Sequence, residues 1–187
     1  MNKCGKTLRE CEPKSGNVYL MGFMGCGKTK IGSLLADRLG RTFIDTDARI
    51  AADSGMTIVE IFEKEGENSF RKRESDLLRS IANSRGYVVS LGGGAVVNPD
   101  NWKIISGSGF TITLSYPPEI IARRLARQTD RPLIKQYRGQ ARLDRIASLM
   151  QVRSIHYQKA DLVLHLNREV APERVADALH AFLAEFS

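Results

Sequence analysis

The 187-residue chain reads as an α/β protein, a parallel sheet with helices on both faces. Three observations lead there. Short apolar runs alternate with longer stretches whose apolar residues recur at helical spacing, the order that gives parallel strands joined by crossover helices. The runs are short and apolar, as strands covered on both faces are. The residues with chemical character follow the first, second and third runs, where open α/β sheets hold their ligands.

Each element has a local reason. Residues 1–16 are polar with Gly, Pro and Ser, and read as a flexible N-terminal tail before a single domain over 17–187. Val18-Tyr19-Leu20-Met21 is the first strand, followed by a glycine-rich turn. Ile31, Leu34, Leu35 and Leu39 then mark a helix from about Lys28 to Leu39, stopped at Gly40. Thr42-Phe43-Ile44 is a second strand running into Asp45-Thr46-Asp47. Thr57-Ile58-Val59-Glu60 has capping-box form and opens a helix through Ile61 and Phe62. A further helix covers about 67–84, and Tyr87–Leu91 is a third strand ending in Gly92-Gly93-Gly94. Phe110–Leu114 is a fourth strand, and Pro117-Pro118 opens a helix to about Arg127. Residues 128–140, with Pro132 and Gly139, read as a long loop. A helix over about 141–159, a strand Leu162–Leu166 and a helix from Pro172 close the chain.

Composition narrows the class. Hydrophobic residues at 42% and charged residues at 26% are globular proportions, which excludes a disordered or collagen-like chain. No run of about 18 apolar residues spans a membrane, and the N-terminus has no apolar core of a secretory signal. Cys4, Cys11 and Cys26 are an odd, unclustered set, which points to a reducing, cytoplasmic setting. The net charge of +7 sits in one place: residues 121–160 carry ten Lys/Arg against two Asp, while the rest of the chain is close to neutral. That window fits a solvated helix face, a nucleic-acid patch or a site for a small polyanion. Only Tyr137 and Tyr157 lie in it, without the aromatic interleaving of a nucleic-acid surface.

Gly22-Phe23-Met24-Gly25-Cys26-Gly27-Lys28-Thr29 matches G-x-x-x-x-G-K-[ST] between a strand and a helix. Its glycines let backbone N–H groups turn inward around phosphate, and the helix N-terminus behind them favours negative charge. Lys28 reaches the outer phosphates, and the Thr29 hydroxyl is placed for Mg²⁺. Asp45 and Asp47 project to one side if the strand persists; a helix N-cap with a spare surface acid is the alternative. Gly92-Gly93-Gly94 is either bare backbone for close approach of a ligand or a flexible turn. Phe70-Arg71-Lys72-Arg73-Glu74 lies in a helix, where a solvated face is its ordinary use.

In order and spacing, GFMGCGKT, FIDTD, FRKRE, SLGGGAV, DRPL and the Arg153 region resemble the shikimate kinase family over nearly the whole chain from Asn17. The resemblance implies a three-layer P-loop kinase fold, nucleoside-monophosphate-kinase-like, with a five-stranded parallel sheet and a mobile lid at about 128–140. It implies transfer of the γ-phosphoryl of ATP to the 3-hydroxyl of shikimate in aromatic amino-acid biosynthesis. By the same resemblance Gly25, Cys26, Gly27, Lys28, Thr29 and Lys30 form the phosphate cradle, and Thr29 and Asp45 hold Mg²⁺, Asp45 through water. Asp47 receives the substrate hydroxyl, Arg71 and Arg153 grip the carboxylate, and Gly93 and Gly94 offer backbone donors. Arg131 is the lid arginine on the phosphates, Arg124 lies near the adenine, and Arg168 or Pro172 makes the last adenine contact.

These residue types suit phosphoryl transfer, which needs positioning and charge neutralisation more than covalent help. Lys28 and Arg131 are expected as catalytic with Asp47, and a closing lid would exclude water. No aspartate stands just before the Gly92–Gly94 run, which leaves Asp45 as the metal partner. Cys26 is either a sensitive thiol or a harmless small side chain. A kinase for an amino analogue of shikimate or for gluconate, a non-catalytic sensor and a nucleic-acid binder are the other readings. A monomer with no membrane or nucleic-acid partner is expected.

Overall fold

The structure is a computed structural model that describes residues 16–126, 134 and 136–185. Nearly all of the expected tail, and residues 128–133 and 135 of the expected lid, Arg131 among them, lie outside the described residues.

Five strands form one parallel sheet in the order β2-β3-β1-β4-β5: β1 Asn17–Met21, β2 Thr42–Asp45, β3 Tyr87–Ser90, β4 Gly109–Ser115 and β5 Leu162–His165. β1 is central because both its faces are apolar or satisfied. Val18, Tyr19, Leu20 and Met21 are at most 1% exposed. Burial of such side chains contributes about 1.5–3 kcal/mol each. The period of two sends alternate residues to opposite helical layers. Leu20 packs under Gly32 of α1 (Lys28–Leu39), whose missing Cβ lets the helix close on Phe43 of β2. On the other face Tyr19 shares a 2.7 Å hydrogen bond with Ser108, at the end of α5 (Pro99–Ser108). Buried Asn17 donates to the Ile81 and Ser84 carbonyls, closing the end of α4 (Gly66–Ala82) against the sheet.

α2 (Thr46–Ser54) and α3 (Ile58–Lys64) join α4 over a second, smaller core of Ile50, Ile61 and Phe70. The Thr57–Glu60 capping box opens α3 as the sequence predicts. α6 (Pro118–Leu125) and α7 (Gly139–Tyr157) follow β4, and α8 (Pro172–Glu185) packs beside α1.

Two helices lie where the sequence reading placed none. α5 begins at Asn98, whose side chain accepts from the Asp100 N–H with Pro99 at the first turn. α2 begins directly at the end of β2, so of the two readings of Asp45-Thr46-Asp47 the helix N-cap holds and the persisting strand does not. The strand stops at Asp45, so Asp45 and Asp47 do not share a strand face. Asp45 Oδ1 instead accepts from the Asp47 and Ala48 N–H groups at 3.1 Å, capping α2.

Candidate active site

The carboxyl ends of β1, β2 and β3 are neighbours, so the segments that follow them meet in two adjoining clefts. The first, of about 770 Å³, is lined by Gly25, Gly27, Lys28, Thr29, Lys30, Asp45 and Asp47. Gly25 and Gly27 have φ of 78° and 94°, left-handed values that favour glycine, and Gly27 is the N-cap of α1. Lys28 is 8% exposed, and its ammonium donates to the Gly22 and Phe23 carbonyls at 2.9 and 3.1 Å, inside the turn it would share with a phosphate. Thr29 donates to Asp45 Oδ2 at 2.7 Å. One carboxylate thus caps α2 with one oxygen and meets the P-loop threonine with the other. Cys26 is fully buried, which accords with a small packing side chain.

The second cleft, of about 580 Å³, has an apolar wall of Ile58, Phe62 and Phe70 and a charged floor of Asp47, Arg71, Glu74 and Arg153. Asp47, Met24 and Gly93 line both clefts. Arg71 does not lie on a solvated face: its guanidinium pairs with Glu74 at 2.8 Å and with Glu67 at 3.0 Å. Arg153 comes from α7 and donates to the Gly93 carbonyl at 3.3 Å. Two guanidinium forks from different helices therefore face one cleft, which suits a planar carboxylate.

None of Gly92, Gly93 and Gly94 has a positive φ, and at Gly92 and Gly94 it is space rather than backbone freedom that favours glycine. A Cβ at Gly92 would stand 2.6 Å from Asp47 Oδ1 and 2.7 Å from Glu74 Oε1, and one at Gly94 would stand 2.7 Å from Arg71 Nη2. The flexible-turn alternative gives way to close approach. Buried Thr46 ties the corner together, donating to the Ser90 carbonyl and accepting from the Gly92 N–H at 2.9 Å.

Glu74 escaped the sequence reading. It is fully buried, and its Oε1 has no hydrogen-bond partner among the described residues. Burial pushes its carboxyl up, and the nearby Asp47 charge adds to that, while Arg71 and Arg153 pull the other way. The signal was its spacing: Phe70, Glu74, Leu78 and Ile81 form one buried stripe of α4, and an acid in such a stripe needs a partner.

Arg124 lies at the far side of the P-loop, 4.1 Å above the Tyr116 ring, and donates to the Gly25 carbonyl at 3.3 Å. Arg168 is exposed on the loop after β5, and it is the next residue, Glu169, that faces Arg124 at 3.9 Å. Pro172 opens α8. The structure thus brings Lys28, Thr29, Asp45, Asp47, Arg71, Gly93, Gly94 and Arg153 to two joined clefts, with Arg124 beside them.

A sequence model described as shikimate kinase matches residues 24–184. The shikimate kinase of Thermosynechococcus vestitus is 42% identical over 163 residues, 87% of each chain. That of Pelotomaculum thermopropionicum is 39% identical over 169 residues, 90% of this chain and 96% of its own. The solved shikimate kinase from Acinetobacter baumannii in complex with shikimate superposes with a TM-score of 0.84 at 31% identity, covering 95% of this chain and 97% of that one. Sequence and fold agree across nearly the whole length, and the chain belongs to the shikimate kinase family.

Proposed function

We propose that this chain is an ATP-dependent shikimate 3-kinase, giving shikimate 3-phosphate and ADP in aromatic amino-acid biosynthesis, and that the two clefts are its nucleotide and shikimate sites. The observation that carries the assignment is the shared wall: Asp47 and Gly93 line both the P-loop cleft and the two-arginine cleft. A hydroxyl held at Asp47 from one side meets a phosphoryl group held at Lys28 from the other.

Arg71 and Arg153 orient the shikimate carboxylate, and the Gly93-Gly94 backbone supplies further donors. Asp47 accepts the hydrogen bond of the 3-hydroxyl. That oxygen forms the new bond to the γ-phosphorus as the bond to the β–γ bridging oxygen breaks; ADP leaves, and the hydroxyl proton goes to Asp47. Lys28 and Arg131 neutralise charge on the transferring group. Arg124 and Arg168 flank the adenine, and a lid at about 128–140 excludes water.

The Thr29 and Asp45 oxygens fit Mg²⁺. They converge at 2.7 Å beside the phosphate cleft, and no group of three or more His, Cys, Asp or Glu that could hold a metal occurs among the described residues. An ion that keeps its waters and leans on substrate phosphates suits so small a donor set. Bound there, it supplies neutralisation of phosphate charge. A monomeric, cytoplasmic enzyme is part of this reading; the odd, unclustered cysteines support the reducing compartment. Among the described residues no helix is long and apolar enough to cross a membrane.

The test is ADP release with Mg-ATP across shikimate, its amino analogue and gluconate. Turnover highest with shikimate is expected. A folded protein with no shikimate-dependent turnover overturns the assignment, and preference for another acceptor replaces it with that substrate.

A further inference from the structure

Tyr157 belongs to no part of the chemistry above, yet its hydroxyl makes a short contact to the glycine loop. It donates to the Gly93 carbonyl at 2.7 Å, on the same oxygen that Arg153 Nη1 reaches at 3.3 Å. Arg153 and Tyr157 are four residues apart on α7 and so lie on one face of the helix. One carbonyl oxygen, with its two lone pairs, therefore fastens α7 to the loop that walls both clefts.

The position of the ring is fixed independently. Tyr157 is 8% exposed, and its own carbonyl accepts from Thr113 of β4 at 2.7 Å. The phenol is anchored to the sheet at one end and reaches the glycine loop at the other. Burial drives its ionisation upward, so it stays a neutral donor over the working pH range.

We propose that Tyr157 is a positioning residue for the phosphoryl acceptor, setting the orientation of the Gly93–Gly94 peptide and the angle at which Arg153 enters the shikimate cleft. The peptide is trans and planar, since the described chain has no cis bonds, so its carbonyl and its N–H point to opposite sides. Drawing the Gly93 oxygen towards Tyr157 turns the Gly94 N–H the other way. With no side chain at 93 or 94, the direction of this peptide is set by its hydrogen bonds: the Gly92–Ala95 turn bond at 3.0 Å closes around it, and the short contact on the Gly93 oxygen fixes its tilt. The Tyr157 hydroxyl supplies that restraint, and it also holds in place the oxygen to which Arg153 is tethered.

This inference rests on the shikimate kinase assignment, and the experiment separates the two. Tyr157→Phe keeps the ring and removes only the hydroxyl. The expected result is a fall of about tenfold in kcat/KM for shikimate, the scale of one lost buried hydrogen bond. KM for ATP should stay within about twofold and the melting temperature close to wild type. Replacement by 4-aminophenylalanine, which restores a donor at the same position, should recover most of the loss. Unchanged kcat/KM for shikimate overturns the proposal. So does a loss shared equally by both substrates, or a stable 4-aminophenylalanine variant that recovers nothing. If Tyr157→Phe does not fold, the 4-aminophenylalanine variant decides alone: near-wild-type shikimate kinetics support the donor role, and a stable variant with impaired kinetics overturns it. An inactive wild type overturns the assignment and this inference with it, whereas an active wild type with an indifferent Tyr157→Phe overturns this inference only.

Discussion

Asp47 and Glu74 stand on either side of Gly92, close enough that a single methyl group there would touch both. Their roles separate by environment. Asp47 lines both clefts, so Asp47→Asn should lower kcat by about a hundredfold or more, within the usual range for a lost proton acceptor. ATP binding, measured by calorimetry, should persist; loss of nucleotide affinity with an intact chemical step would contradict the role. Glu74 is buried against Arg71, and its carboxyl titrates above the ordinary range because burial disfavours the charge. The folded state therefore holds this proton more tightly than the unfolded chain does. The resulting stability is present below the unfolded carboxylate range and is lost as pH rises through the folded value. Glu74→Gln cannot titrate, so the wild type should lose ground against it in thermal melts as pH rises from about 4 towards neutrality. A difference in melting temperature that is flat over that span would show that Glu74 keeps the same protonation in both states.

At the level of elements, the β2–α2 junction does two jobs with one carboxylate. Asp45 caps α2 through Oδ1 and meets Thr29 through Oδ2. The two jobs can be divided. Asparagine caps a helix about as well as aspartate, whereas alanine costs about 1 kcal/mol. Asp45→Asn should keep wild-type stability in denaturant melts, yet need more Mg²⁺ for half-maximal turnover. Asp45→Ala should lose both. Equal Mg²⁺ dependence in wild type and Asp45→Asn would remove Asp45 from the metal's surroundings. This junction also shows where sequence reasoning ran out. The P-loop was legible because its glycines, Lys28 and Thr29 must follow one another along the chain. The strands were legible from apolar runs, and α3 from a capping box. At Thr42–Asp47 a strand passes into a helix without a turn residue between them, so period-two and cap readings competed on the same residues. Asn98-Pro99-Asp100 is a plain helix start for α5, a cap residue followed by proline and an acid in the first turn. Glu74 stayed hidden for a different reason. Its bonded partner Arg71 is on its own helix, but Asp47 and Arg153, which complete its surroundings, lie on α2 and α7, and only the sheet order β2-β3-β1-β4 brings those helices to one corner.

For the whole molecule, the basic excess at 121–160 acquires a spatial meaning. Its described members are not spread over one solvated face. Arg142 is buried and donates to the Leu125 carbonyl, Arg124 stacks on Tyr116 beside the P-loop, and Arg153 lines the cleft it shares with Arg71. Arg145 sits over the Tyr137 ring, while Lys159 remains exposed at the end of α7. Both substrates are anions, and Arg124 and Arg153 stand beside the clefts they would enter. A positive field there raises the local concentration of anionic substrates and speeds their capture. Screening limits its reach, from about 30 Å at 0.01 M ionic strength to about 8 Å at 0.15 M. With Mg²⁺ held constant, raising KCl from 0.01 to 0.3 M should lower kcat/KM for shikimate several-fold while kcat stays nearly level. The field acts on encounter, whereas the short contacts of Arg71 and Arg153 are screened much less. Lys159→Gln, which removes an exposed charge, should flatten the dependence of log kcat/KM on ionic strength. A kcat that falls in step with kcat/KM would place the salt effect in the bound complex, and a flat kcat/KM would leave the basic segment with only its short-range contacts.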